Sequence, residues 1–263
     1  MAIKATEAIL LRAHNWSESS RTVVFFTRDY GRLALTDRGG RRLTGKRGRL
    51  VPFARLELTF YHSEKESAGY LSDVSLVQAW QFEREGTLGR LAFASAAIEL
   101  LLSLLGDRAP HPDLYTYTVS YLELVETAPK QGLGPLFVNY YIRLISRLGY
   151  HPSLTRCVAC GATGERLADA AGGVQFSAER GGMVCRACES VGDCYIPFSS
   201  ESHRLIRALE GASLGQAATL PISYRETVRL TEALTRFLSF QADVRAELKA
   251  LTFLEKLRKD AEA

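Results

Sequence analysis

Arg55-Leu-Glu-Leu-Thr-Phe-Tyr61 alternates polar and apolar residues from Arg55 through Phe60. Leu56, Leu58 and Phe60 fall on one side of an extended chain and Arg55, Glu57 and Thr59 on the other. That is the pattern of a strand with one face in a core and one in water. Four more runs of strand character surround it: Ile3 to Ala13, Thr22 to Arg28, Arg32 to Thr36 and Gly69 to Val77, the quoted strand itself starting near Val51. Val23-Val-Phe-Phe26 is apolar throughout, as in a strand covered on both faces. Five short strands in about eighty residues predict a small closed barrel of the OB type rather than a flat sheet.

Between the third and fourth strands lies Arg38-Gly-Gly-Arg-Arg-Leu-Thr-Gly-Lys-Arg-Gly-Arg49, twelve residues with six cations, four glycines and no acid. Arg32 adds a seventh cation nearby, opposed by Asp37. Guanidinium forks and ammonium charges on a glycine-rich loop suit phosphates. Nucleic acid is therefore the expected partner, with Arg32, Arg38, Arg41, Arg42, Lys46, Arg47 and Arg49 as its contacts. The same composition also describes a plain solvated loop. Its place on a barrel rim is what favours a function. Tyr30, Phe53 or Tyr61 would stack on bases if exposed.

The charge is unevenly placed. Residues 1–80 hold thirteen lysines and arginines against eight acids, whereas residues 81–263 hold twenty against twenty-one. The positive field thus belongs to the barrel. With 263 residues and 46% hydrophobic content the chain can bury a substantial core and divide into two or three units. Met-Ala-Ile-Lys-Ala-Thr-Glu lacks the basic start and apolar core of a signal peptide, so a cytoplasmic protein associated with the nucleoid is expected. Leu91 to Leu105 is apolar but interrupted by Glu99 and shorter than the roughly 20 residues a membrane span needs, so it predicts a buried helix.

From about Trp80 the apolar period changes from two to 3.6. Helices are predicted over Leu88 to Leu105, Pro112 to Glu126, Pro135 to Leu148, Glu201 to Leu209 and Tyr224 through Lys259. Their aromatics recur at helical spacing and read as core. Between the helices stand Cys157-Val-Ala-Cys160 and Cys185-Arg-Ala-Cys188, two Cys-x-x-Cys knuckles twenty-four residues apart. This spacing lets two pairs of thiolates meet on one tetrahedral ion, and the intervening glycines let the chain fold back. One zinc held by Cys157, Cys160, Cys185 and Cys188 is expected, and four thiolates leave no open position, which makes it structural. Cys194 is then left over as a small core residue, and His151 is not required as a ligand.

The expected architecture is α+β and multidomain. Residues 1–80 form an OB-like nucleic-acid-binding barrel, 81–150 the first part of a helical domain, 151–195 an inserted four-cysteine zinc motif, and 196–263 the rest of the helical domain. Enzymatic readings find little support. Gly40 to Lys46 fits the frame of a phosphate-binding loop, but Arg47 stands where a hydroxyl should ligate magnesium and Pro52 where a helix should run. His62-Ser-Glu64 matches half of a zinc-deaminase motif, but neither knuckle has the preceding proline. No compact set of acids suggests a nuclease, and no recognition helix accompanies the knuckles. A zinc-dependent nucleic-acid-processing enzyme is the alternative, opposed by the saturated donor set.

In the order of its parts the chain resembles the RecO family of DNA repair proteins. The resemblance rests on Glu18-Ser-Ser-Arg21, Phe26-Thr27, Gly31 and the basic Gly-Arg-Arg segment. It continues in Leu148-Gly-Tyr-His-Pro152 leading into Cys157-x-x-Cys160-Gly161, and in Phe176-Ser177 before Gly181-Gly-Met-Val-Cys185-x-x-Cys188. Near the end, Leu248-Lys-Ala-Leu251 stands where the family carries a basic Leu-Lys-Ser-Arg segment. The resemblance implies a recombination mediator that binds single- and double-stranded DNA and anneals complementary strands. With RecR it would load the recombinase onto DNA coated by single-strand-binding protein. It implies no catalytic residue, no membrane and no small-molecule substrate.

Overall fold

The computed structural model describes residues 2–15, 18, 20–38, 50, 52–62, 69–82, 88–168 and 173–262. By compactness they fall into two units, 1–126 and 127–263.

In the first unit the strands β1 (Ala2–Asn15), β2 (Ser20–Thr27), β3 (Gly31–Arg38), β4 (Ala54–His62) and β5 (Gly69–Ala79) close into a barrel of order β1-β2-β3-β5-β4. Neighbours run antiparallel except β3 and β5, which meet in parallel at Leu35 opposite Gly69 and Thr36 opposite Tyr70. The predicted alternation on β4 holds: Leu56, Leu58 and Phe60 are fully buried and Glu57 is exposed. They meet Leu10, Val23, Phe25, Leu33, Leu35 and Leu71 in one core. Each such side chain contributes about 1.5–3 kcal/mol on leaving water. Phe26, on the other parity of β2, is covered by Tyr115 of the helix pair beside the barrel, with ring centroids 5.6 Å apart edge-on. That is why β2 reads as apolar on both faces.

That pair, α1 (Leu88–Leu104) and α2 (Pro112–Thr127), lies in the same compact unit as the barrel. Tyr121 donates to the Phe93 carbonyl at 3.0 Å, tying α2 to α1. The link between the helices reaches the barrel at Gly31, where the Arg108 N–H donates to the Arg32 carbonyl at 3.0 Å. A Cβ on Gly31 would lie 2.1 Å from the Ala109 carbonyl oxygen, so the close approach needs glycine.

The second unit is built on α3 (Leu133–Arg147), whose Leu136, Phe137, Tyr140, Tyr141 and Leu144 are buried on all sides. A three-stranded sheet follows, β6 (Val174–Ser177), β7 (Gly182–Val184) and β8 (Ile196–Phe198), in the order β7-β6-β8. Then come α4 (Ser200–Gly211), α5 (Leu214–Ala217), α6 (Tyr224–Gln241) and α7 (Lys249–Glu262). Ser199, Ser213 and Ser223 cap α4, α5 and α6, each accepting the backbone N–H three residues on, for about 1 kcal/mol apiece. Asn139, fully buried on α3, donates to the Leu209 and Ala212 carbonyls at the end of α4. The helical stretch expected from Tyr224 through Lys259 consists of two helices, α6 and α7. Asp243 adopts a left-handed φ of 51°, a conformation that aspartate tolerates better than most residues, and the chain leaves the helix there.

Candidate metal centre and nucleic-acid interface

The two knuckles converge because the chain around them is hydrogen-bonded into one frame. In the first, the Cys157 N–H donates to the Ala162 carbonyl at 2.8 Å and the Gly161 N–H to the Cys157 carbonyl at 2.9 Å, with Gly161 at φ 73°. In the second, a single 3₁₀ turn over Arg186–Cys188 brings the Cys188 N–H to the Cys185 carbonyl at 2.8 Å. Ser153 laces them together, donating to the Gly181 carbonyl at 3.0 Å and accepting from the Met183 N–H at 2.8 Å. From α6, the Gln241 amide donates to the Ala178 and Glu179 carbonyls at 3.2 and 2.7 Å, holding the β6–β7 turn.

The result is four sulfur atoms within 4.8 Å of one another, from Cys157, Cys160, Cys185 and Cys188, with 3.7 Å between the Cys160 and Cys185 Sγ atoms. None of the four is in a disulfide. Zn–S bonds of about 2.3 Å set tetrahedral edges of about 3.8 Å, so the donor set fits one tetrahedral ion. The thiols are electrostatically unequal on their own. Burial raises Cys157, but N–H groups of Cys185, Cys160 and Ala159 outweigh it and bring it down to about 6. Hydrogen bonding to Cys160 and Cys185 pushes Cys188 up to about 12. Crowded thiols share protons in this way, and a divalent cation is what lets all four ionise together. Cys194, expected in the core, is instead exposed: it lies in the irregular stretch just before β8, where no apolar layer covers it. His151 faces elsewhere, its ring nitrogens 2.9 Å from Ser146 Oγ and 3.3 Å from Glu210.

His203 of α4 supports the same frame. Its Nε2 donates to the Leu154 carbonyl at 3.0 Å, just before the first knuckle. Burial lowers its pKa and outweighs that hydrogen bond. Above about 6.5 the ring is neutral in both folded and unfolded chains, whereas below it the unfolded chain takes up the proton first. Stability from this group is therefore full above about 6.5 and lost as the pH falls through that value. His203→Gln is expected to flatten the decline in melting temperature between about pH 7 and 5, and an unchanged slope would refute the assignment.

The basic segment enters the description at its root. Arg38 is exposed and its guanidinium lies 4.0 Å from the centre of the Tyr70 ring. Arg41, Arg42, Lys46, Arg47 and Arg49 lie outside the described residues. Arg32 is turned toward the helix pair, with Nε donating to Asp107 at 2.7 Å and Nη1 to the Leu102 carbonyl at 2.9 Å. Among the aromatics raised as stacking partners, Tyr30 is half-buried edge-on against Phe60 under Lys4, and Phe53 packs on Phe82. Tyr61 is exposed. Ile3 and Tyr70 join it on the outer face and were not singled out from sequence. The signal for them is an apolar or aromatic side chain at a water-facing position of an alternating strand.

A cavity of about 200 Å³ beside α2 is lined by Glu7, Arg28, Arg55, Tyr115, Thr116 and Val119. Arg55 forks onto Glu7 at 3.1 and 2.7 Å. Arg28 stands beside this pair, so the lining carries two cations and one acid.

Residues 1–80 match the family model described as Recombination protein O N terminal, and residues 85–250 that described as Recombination protein O C terminal. The chain belongs to the RecO family. DNA repair protein RecO of Symbiobacterium thermophilum is 29% identical over 263 residues, covering 98% of this chain and 99% of the relative. RecO of an Anaeromyxobacter species is 30% identical over 95% of this chain and 94% of its own. RecO of Caldanaerobacter subterraneus is 34% identical over 72% of each. The chain is thus a DNA repair and recombination protein of that family, with an OB-like barrel followed by a helical region holding a four-cysteine cluster. Among the described residues no helix is long and apolar enough to cross a membrane.

Proposed function

We propose that this protein is a recombination mediator that binds single- and double-stranded DNA without sequence preference and anneals complementary strands. In company with RecR it helps to load the recombinase onto DNA coated by single-strand-binding protein, in the bacterial cytoplasm. The observation that carries this reading is the RecO match over both parts of the chain, together with six cations in the twelve residues that run from the end of β3 toward β4. Annealing needs charge neutralisation and strand proximity rather than a reacting side chain. No catalytic residue is assigned. Phosphates fall to Arg38, Arg41, Arg42, Lys46, Arg47 and Arg49, while Arg32 anchors the rim to the helix pair. One zinc on Cys157, Cys160, Cys185 and Cys188 holds the insertion together. When bound, it supplies structure and no reactive position.

The test is salt-dependent binding to random-sequence oligonucleotides. Each lost phosphate contact lowers the slope of log affinity against log salt by about 0.7 to 0.9. Arg41→Ala with Arg42→Ala is therefore expected to weaken binding more at low salt than at high salt, equally for any sequence, with annealing falling in parallel. Melting should be unaltered, since a segment made mostly of glycines and cations offers little apolar surface to a core. A double mutant with the parent's affinity and slope would remove the loop from the binding surface.

A further inference from the structure

One rung of the barrel breaks the outward polar pattern. Ile3 of β1 is the direct cross-strand partner of Tyr61 on β4, Tyr61 of Tyr70 on β5, and Tyr70 of Thr36 on β3. Directly opposed residues project from the same face of a sheet. Their sequence neighbours Phe60, Leu71 and Leu35 point into the core at no more than 3% exposure, so this rung faces out. Ile3 is 64% exposed and Tyr61 38%. Arg38, two residues beyond Thr36 on the same side of β3, covers the Tyr70 ring and continues the row. Along β4 and β5 the strip is bounded by exposed Asp73 and Glu57.

Size and charge decide what fits. Strands about 4.8 Å apart put the outer members of a three-strand row about 10 Å from each other. A protein partner needs about 800 Å² on each side, far more than three side chains offer. One or two nucleobases need no more than this. The row also ends on Arg38, the first cation of the basic segment, which suits a polyanionic chain.

We infer that Tyr61, flanked by Ile3 and by the Arg38-capped Tyr70, forms a base-stacking strip for single-stranded DNA, with Arg38 at its end beside the phosphates. The inference rests on the DNA-binding reading above and adds to it a surface that distinguishes unpaired from paired strands. Bases within a duplex already stack on one another and cannot lie on the strip, whereas unpaired bases can.

The experiment compares the parent with Tyr61→Ala and Tyr61→Phe on three probes of equal length, about 20 nucleotides: oligothymidylate, the same backbone with abasic sites, and a duplex. Tyr61→Ala is expected to weaken oligothymidylate binding roughly tenfold with the salt slope unchanged. Tyr61→Phe, which keeps a ring, should bind as the parent does. The abasic strand and the duplex should not distinguish the variants. Tyr61→Ala binding oligothymidylate like the parent would overturn the strip alone and leave the loop-based reading standing. So would an equal loss on all three probes, which would make Tyr61 a backbone or folding residue. A parent that binds none of the probes would overturn the functional reading and the strip with it.

Discussion

Cys185→Ser is expected to release the metal and to lower the melting temperature of the second unit by the largest margin of any single substitution considered. Structural zinc sites in small fingers contribute apparent binding energies of about 10–16 kcal/mol, nearly all of it folding energy. Here Met183, Val184 and Phe176 add a buried core of their own, so the loss should amount to several kcal/mol rather than complete unfolding. Cys185 is the informative ligand because it is buried and its N–H also reaches the Cys157 Sγ at 3.4 Å. Cys194→Ser is the control: that thiol is exposed and outside the cluster, and should change neither metal content nor melting. Elemental analysis of protein purified under reducing conditions should return one zinc per chain for the parent and for Cys194→Ser. A metal-free parent, or a Cys185→Ser protein that melts like it, would remove zinc from the account.

Gly31→Ala should act on the other unit. Gly31 sits at φ 66°, where a Cβ costs about 1–2 kcal/mol before any contact is counted. That Cβ would meet the Ala109 carbonyl, which is backbone and cannot swing aside like a side chain. Moving the α1–α2 link away strains the Arg108-to-Arg32 backbone bond and the Arg32 contacts to Asp107 and Leu102. About 2–4 kcal/mol should be lost, which for a protein of this size lowers the melting temperature by roughly 5–10 °C. Gly106→Ala in the same link, whose Cβ would find only ordinary contact at 3.8 Å, should be nearly silent. Equal melting of Gly31→Ala and parent would show that the link can give way freely.

The two substitutions also mark where the sequence is easy and hard to read. The barrel is legible because Leu56, Leu58 and Phe60 must all be on one side of β4, and a single slip would put three apolar side chains in water. The metal centre is legible because its chemistry is written in paired cysteines. Gly31 matters through Ala109, seventy-eight positions later, and no local pattern announces a contact at that separation. Asp243 ends α6 without the glycine or proline that usually punctuates a helix. Cys194 looks like core by residue type and lies outside it because β8 is only three residues long and gives it no layer to enter. At Tyr61 the strand parity is readable, but whether a neighbour covers the ring depends on which strand lies alongside. That is a property of ring closure and not of β4 itself.

The ring is closed at an unequal seam. Among the described residues β3 and β5 meet at two rungs, whereas every other neighbouring pair shares seven or more. Thr36 and Tyr70, which make one of those two rungs, are also the point where Arg38 folds over the sheet. A strand of DNA that runs from Tyr61 over Tyr70 to Arg38 on β3 would therefore span the weakest join of the barrel like a clasp. Ligand binding and ring closure share one free energy there: whatever stabilises the bound strand holds β3 to β5, and whatever lets the seam breathe loosens the strand.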